Sequence, residues 1–417
     1  MPQDYLDFLD FDLLLERAVR GFRAHVLNSP VGQAESEFKM PFSEMELEVF
    51  FLRMSQSRGL TRRAEKKDSG PTRELGGKLF EAVFTEDVLS CLRSSIDEAD
   101  RQGKGLRIRL RFSGTPQLAN LPWEYLYNSK QKKFVSLSRS TPVVRYIELP
   151  ERIKPLAVTP PLRVLVMISS PTDYPELEVE QEWTKLREAV GDLEARGLIV
   201  LERLPDATLS SLQHRLRQRL RQDEYHIFHF IGHGSFEDDD GVLILETPTK
   251  RGHRVSGCDL GTILHDHRSL RMSILNACEG ARASGTDPFS GVAQSLVLQG
   301  IPAVIAMQFE ISDQAAISLA HEFYGAVADG YPVDAALAEA RKAVFAECNA
   351  VEWGTPVLYL RAPDGRIFDV TPSSSPPRAA EKERPPSTAN ILHCIHCGAR
   401  LSQADSFCTN CGKTPGR

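Results

Sequence analysis

The chain has 417 residues, enough for two or three domains around a sizeable buried core. Its 41% hydrophobic and 25% charged residues are near globular averages, which excludes a fibrous or wholly disordered chain. A formal charge of −6 argues against a general nucleic-acid binder, so nucleic acid is not an expected partner.

The segment Met1-Pro-Gln-Asp-Tyr-Leu-Asp7 is acidic and has no basic n-region, so no secretory signal is expected there. Between about residues 6 and 40, apolar and polar residues alternate (Phe11-Asp-Leu-Leu-Leu-Glu16, Phe22-Arg-Ala-His-Val-Leu27) around Ser29-Pro30, which predicts a hairpin. Ser43–Met54 reads as a helix, with Ser43 as cap, Glu46 completing a capping box, and Leu47, Val49, Phe50 and Phe51 supplying apolar groups. The basic run Arg62-Arg-Ala-Glu-Lys-Lys-Asp-Ser-Gly70 reads as a solvated linker closing an N-terminal extension over 1–70. From Leu162 a strand–helix rhythm begins. Strands are predicted at Leu162–Ile168, Leu198–Leu201, His226–Ile231, Arg271–Asn276, Ala303–Met307 and Pro356–Leu360. Helices are predicted at Glu176–Val190, Thr208–Arg221, after Asp287-Pro288, and near Asp313–Ala328 and Val333–Phe345. That alternation implies an α/β fold with a mainly parallel sheet covered by helices on both faces. No apolar run is long enough to span a bilayer, so membrane insertion is not expected and the cytoplasm is the simplest compartment.

Two of these strands end on residues that can do chemistry. His226-Ile-Phe-His-Phe-Ile231 runs into Gly232-His233-Gly234, and Arg271-Met-Ser-Ile-Leu-Asn276 runs into Ala277-Cys278-Glu279-Gly280. In an open parallel sheet the ligand crevice lies beyond the carboxyl ends of the strands. A thiol and an imidazole leaving neighbouring strand ends meet there, where a thiol nucleophile needs its base. Either alone is more often a buried core group. Together, each followed by Gly or near one, they point to Cys278 and His233 as a pair about 45 residues apart, close to the spacing of about 50 known for caspases. The backbone N–H groups of Gly234 and Cys278 are natural oxyanion donors.

Around the pair, His-Phe-Ile-Gly-His-Gly-Ser-Phe (229–236), Leu-Asn-Ala-Cys-Glu-Gly (275–280) and the stretch from Gly291 to Met307 resemble the CHAT domain family, caspase-like and separase-related cysteine peptidases. Leu-Pro-Trp-Glu-Tyr-Leu (121–126), Val-Val-Arg-Tyr (143–146), Tyr331–Val344 and Trp353–Leu360 extend the likeness over most of 71–370. The resemblance implies a CHAT domain over 71–370 with its caspase-like core at about 160–370. It also implies Cys278 as nucleophile and His233 as base and acid, a dyad with no third acidic residue, acting on a protein substrate. Relatives that cut after Arg or Lys tend to carry an acid two residues before the nucleophile. Here that position is the neutral Asn276, so an uncharged P1 becomes at least as plausible as a basic one; Glu310 and Asp313 remain pocket candidates. The family further implies a regulated protease of bacterial conflict, defence or cell-death systems. The alternative from another class is a non-catalytic caspase-like scaffold that binds a protein partner, since an intact dyad does not by itself guarantee turnover.

Four of the eight cysteines close the chain as Cys394-Ile-His-Cys397-Gly398 and Cys408-Thr-Asn-Cys411-Gly412. Two C-x-x-C knuckles predict a structural Zn²⁺ site, a small ribbon over 390–417 whose folding energy comes from the metal. Four thiolates leave no open position for substrate, so the zinc's role is structural; no cofactor is expected for catalysis. The segment 371–389 is rich in Pro, Ser and charge and reads as a flexible linker. The ribbon is therefore an expected recruitment module for a protein activator or partner. Glu237-Asp-Asp-Asp-Gly241 reads as a hairpin turn, not a Ca²⁺ loop. His226, His229 and His233 lack the carboxylate and spacing of a catalytic metal site, and His226 falls on the opposite face of the strand from the other two.

Overall fold

The computed structural model describes residues 7–56, 70–151, 153–218, 224–237, 240–277, 288–309, 311–347, 351–371, 392–401, 407 and 410–414. The chain divides into two compact units, 1–373 and 374–417.

The N-terminal alternation builds three strands where the sequence predicts two: β1 (Phe8–Ala18), β2 (Gly21–Asn28) and β3 (Ala34–Phe38), paired antiparallel in that order. Helix α1 (Glu44–Gln56) begins with the predicted capping box. Ser43 N donates to Glu46 Oε2 at 2.8 Å, and Glu46 N donates to Ser43 Oγ at 3.2 Å. Helices α2 (Gly70–Val83) and α3 (Glu86–Arg101) lead into β4 (Gly105–Ser113), which pairs parallel with β1 over nine residues. This pairing aligns Asp10 with Arg107 and Asp12 with Arg109, and Arg109 Nη2 donates to Asp12 at 2.7 Å inside the core. β5 (Val143–Tyr146) then pairs with β4.

The predicted rhythm follows. β6 (Leu162–Ile168) and helix α4 (Val179–Ala195) lead to β7 (Ile199–Arg203), helix α5 (Leu209–Gln218) and β8 (Ile227–Glu237). A side hairpin, β9 (Asp240–Glu246) and β10 (Gly252–Ser256), runs into helix α6 (Gly257–Leu264) and β11 (Met272–Ala277). Helix α7 (Pro288–Leu298), β12 (Ala303–Met307), helices α8 (Asp313–Ala328) and α9 (Val333–Glu347), and β13 (Pro356–Leu360) follow.

One sheet holds these strands in the order β7-β6-β8-β11-β12-β13-β5-β4-β1-β2-β3, with β9 and β10 attached beside β8. β7, β6, β8, β11 and β12 are all parallel, and their residues are apolar on both faces because helices cover both sides. The expectation of a mainly parallel sheet holds; besides the antiparallel N-terminal strands and side hairpin, β13 runs antiparallel to β12. Two consecutive helices, α8 and α9, separate them, so the chain returns to the end of the sheet it left. Ile231, Ile274 and Ile305 pack on the α4/α8/α9 side, whereas Phe228, Phe230 and Leu275 pack on the α6/α7 side.

Candidate functional site

β8 carries the predicted imidazole. Its run Ile227–Ile231 is buried between β6 and β11, and the strand then continues past the parallel sheet to pair with β9, His233 opposite Ile244 and Gly234 opposite Leu243. Pairing of Glu237 with Asp240 shows that the acidic run is a hairpin connection, as predicted; Asp238 and Asp239 themselves lie outside the described residues. Because side chains alternate along a strand, His229, Ile231 and His233 share one face of β8.

On β11 the register sets Asn276 against Ile231 and Ala277 against Gly232. Ala277 is the last described residue before Cys278, which lies outside the described residues, as do Glu310 and Cys408. The two chains are thus aligned up to the residue preceding each member of the predicted dyad.

His233 is buried, and its ring is fixed by a loop that the sequence did not single out. Nε2 lies 2.8 Å from the carbonyl oxygen of Pro175, and the Tyr174 ring stacks on the imidazole at 5.8 Å and 27°. A carbonyl only accepts, so Nε2 carries the proton, and in the neutral ring Nδ1 keeps a lone pair for a substrate or nucleophile proton. This 169–178 loop follows β6, the neighbour of β8, so the strand-end crevice rule is the signal that could have found it. The β9–β10 turn holds it in place. Thr172 N donates to Lys250 O at 2.8 Å, Gly252 N donates to Asp173 Oδ1 at 2.6 Å, and Ser170 N donates to Glu246 Oε1 at 3.0 Å. Gly252 is required by close approach, since a Cβ there would sit 2.4 Å from the Tyr174 ring.

Beneath His233, on the same face of the sheet, lies a cavity of about 50 Å³ against α4 and α8. Ile231, Ile274, Ile305 and Met307 form its sheet wall. Asn276, a predicted pocket residue, and His229 line it, and Asn276 Oδ1 and His229 Nε2 are buried with no hydrogen-bond partner among the described residues. His229 Nδ1 lies 2.8 Å from Tyr324 Oη, and burial pushes the imidazole pKa down to about 4. Asp313, another pocket candidate, does not line the cavity; it caps the outer side of Lys185, whose Nζ is 2.6 Å from Asp313 and 2.7 Å from Glu182. The third histidine, His226, is elsewhere: its Nδ1 accepts from Arg163 N at 3.0 Å.

In the second unit, β14 (Leu392–His393) and β15 (Arg400–Leu401) form a two-residue ladder that brings Cys394, Cys397 and Cys411 together. Their sulfur atoms lie within 4.8 Å of one another, and those of Cys394 and Cys411 are 3.7 Å apart. Thiolates at about 2.3 Å from a tetrahedral zinc stand about 3.8 Å apart, whereas a disulfide needs about 2.05 Å. Gly398 and Gly412, each after a cysteine knuckle, have φ of +73° and +70°, the left-handed turn that such knuckles need. The donor set fits a zinc ion, with Cys408 as the predicted fourth ligand. Among the described residues it is the one group of three or more ligating side chains close enough to hold a metal.

The CHAT domain model matches residues 73–380, nearly three quarters of the chain. The chain belongs to the CHAT domain family. Its scaffold is accordingly of the cysteine-peptidase type. It is similar to a chain of the Saccharomyces cerevisiae separase–securin complex solved at 3.0 Å (TM-score 0.48, 10% identity, covering 85% of this chain and 30% of that one). The same complex at 2.6 Å gives a TM-score of 0.34 with 14% identity, over 76% of this chain and 23% of that one. The Drosophila initiator caspase Dronc gives 0.29 with 11% identity, over 55% and 96%. This chain therefore spans less than a third of the separase-complex chains it matches. No curated protein matches it. No helix among the described residues is long and apolar enough to cross a membrane.

Proposed function

We propose that this CHAT protein is a cysteine endopeptidase that cuts a specific protein substrate with a Cys278/His233 dyad. The observation that carries the reading is the buried His233 just past the end of the parallel ladder, its Nε2–H committed to Pro175 O, one residue past the Gly232–Ala277 pairing that leads into Cys278. In this reading Nδ1 of His233 takes the thiol proton and the thiolate attacks the scissile carbonyl carbon. The Gly234 and Cys278 N–H groups hold the resulting oxyanion. His233 then gives its proton to the leaving amine as the C–N bond breaks. Water adds to the thioester, His233 accepts its proton, and the C–S bond breaks to return the thiol. The fixed carbonyl supplies the orientation that an aspartate supplies in triads.

Family membership supports a regulated protease of bacterial conflict, defence or cell-death systems, acting in the cytoplasm. In the same reading Cys394, Cys397, Cys408 and Cys411 hold a structural zinc, and the ribbon recruits a protein activator or partner over the 371–389 linker. The test compares wild type, Cys278→Ala and His233→Ala on a proteome-derived peptide library with cut sites read by mass spectrometry. Cuts sharing a P1 residue and lost in both variants are expected, a fall of at least about 10³-fold. Cuts that survive in both variants, or none from wild type with its recruited partner present, would favour the non-catalytic scaffold.

A further inference from the structure

Two acidic side chains have no part in the chemistry described so far: Glu124, within Leu-Pro-Trp-Glu-Tyr-Leu (121–126), and Glu352, directly before Trp353. Both are buried, and a buried carboxylate needs donors to match it. Glu124 takes two bonds from Arg145 of β5, whose Nε and Nη2 donate to its oxygens at 3.2 and 3.0 Å. Its third donor is Gln308, the first residue beyond β12. Gln308 Nε2 donates to Glu124 Oε2 at 3.1 Å and to Gly354 O at 2.8 Å, and Gln308 N donates to Thr355 O at 3.0 Å.

Glu352 holds the start of α8. Ser312, the N-cap of that helix, donates from N to Glu352 Oε1 at 2.7 Å and from Oγ to Oε2 at 2.8 Å, while its Oγ accepts from Ala315 N at 3.4 Å. In a capping box the third helical residue accepts from the N-cap N–H. Here that residue is Ala315, which cannot, and Glu352 supplies the carboxylate from 40 residues further along the chain. The charge also stands at the positive end of the helix dipole. The two segments that carry these acids pack as one block. Trp353 meets Tyr125 edge-on at 5.0 Å and 70°, and a Cβ on Gly354 would stand 2.4 Å from the Tyr125 ring.

What this block holds lies at the crevice end of the sheet. Leu275 of β11 pairs with Ala306 of β12, and Asn276 and Met307 follow them at the carboxyl ends. The chain leaves β12 through Gln308 and enters α8 at Ser312, so the block bonds to both places. His233 is held from the other side, by the loop after β6. We propose that Glu352 is a positioning residue for substrate. It caps α8 from outside, the Glu124–Arg145–Gln308 bonds hold the end of β12, and together they set the β12 side of the crevice. Its effect falls on peptide binding and not on the proton transfers of the dyad. The proposal rests on the peptidase reading and adds a residue to it.

The test uses full-length protein and the library peptide that wild type cuts fastest, with kcat, KM, thermal midpoint and iodoacetamide labelling of Cys278 measured for each variant. Ser312→Asp keeps an N-cap acceptor for Ala315 but sets like charge against Glu352. Adding Glu352→Gln gives the new carboxylate a donor and leaves an acceptor for the N–H of residue 312. KM is expected to rise about tenfold in Ser312→Asp, the lower end for an ångström-scale misplacement, with kcat and labelling unchanged. In the double variant KM is expected to return toward wild type. Glu352→Gln alone, a change of the same shape, is expected to raise KM about threefold and serves if Ser312→Asp does not fold. A lowered thermal midpoint with wild-type KM would make Glu352 a fold element only. Slower kcat and slower labelling with unchanged KM would place its effect on the dyad. Either result, or a KM that stays high in the double variant, overturns the proposal, while cleavage that still needs Cys278 keeps the peptidase reading. Wild type that cuts no peptide in a Cys278-dependent way overturns both.

Discussion

The imidazole of His229 is buried against Tyr324, and desolvation alone takes its pKa from 6.5 to about 4. His226 is moved the same way, to about 4, by burial and by the charge of Arg163. In the unfolded chain both titrate near 6.5, so between pH 6.5 and 4 the unfolded state binds more protons than the folded one. Stability from these neutral imidazoles is therefore complete above about pH 6.5 and is lost as pH falls toward 4. For fully buried His229 the loss is on the order of 3 kcal/mol; the partly exposed His226 adds less. Urea unfolding at pH 7.5 and pH 5 is expected to give a lower midpoint at pH 5, with the difference shrinking in His226→Asn/His229→Asn. An equal pH dependence in that double variant would place the effect elsewhere. Of these histidines the sequence showed the faces they take. It did not show Tyr324, which comes from α8 nearly a hundred residues away, because only the packing of α8 on the sheet brings the two together.

At the scale of elements, strands with one consistent apolar pattern were legible: Leu162–Ile168, Ala303–Met307 and Pro356–Leu360 match the sequence reading residue for residue. Segments fixed by distant partners were not. Helix α4 begins at Val179 rather than near Glu176 because the preceding residues are drawn into the β9–β10 turn and the His233 contact. The direction of β13 follows from the number of helices before it, not from its own residues. The clamp on His233 gives a contrast between two glycines. Gly252→Ala drives a methyl into the Tyr174 ring and displaces the loop that carries Pro175. If His233 acts as proposed, kcat/KM for peptide cleavage is expected to fall about 10- to 100-fold, the range for an ångström-scale misplacement of such a group. Gly191, exposed within α4, has open space on its side-chain side, with nothing within 4 Å of where a Cβ would stand. Gly191→Ala is expected to raise stability by about 0.5–1 kcal/mol through helix propensity with activity unchanged. Paired measurement of thermal midpoint and kcat/KM checks both. If Gly252→Ala lost stability and activity in proportion, the turn would be a fold element and not a device that positions His233.

Across the whole molecule, the N-terminal strands and the peptidase-type core share one sheet through the β1–β4 pairing, and Arg107 extends the connection by joining Asp10 of β1 to Asp334 of α9. Among the described residues of the C-terminal unit, the core is Cys394 with Ala399 and Cys411 packed against it. So little apolar contact supplies little stability, and the second unit depends on whatever holds its sulfurs together. Metal removal should therefore separate the two units. One zinc per chain is expected by elemental analysis, falling sharply in Cys397→Ser. A chelator should erase the dispersed NMR signals of residues 392–414 while the cooperative unfolding of residues 1–373 keeps its midpoint. Peptide cleavage should survive the same treatment, because the proposed mechanism uses no metal, and cleavage of an intact protein substrate should fall if the ribbon recruits. A chelator that lowered the main midpoint or stopped peptide cleavage would show instead that the cysteine cluster supports the peptidase unit directly.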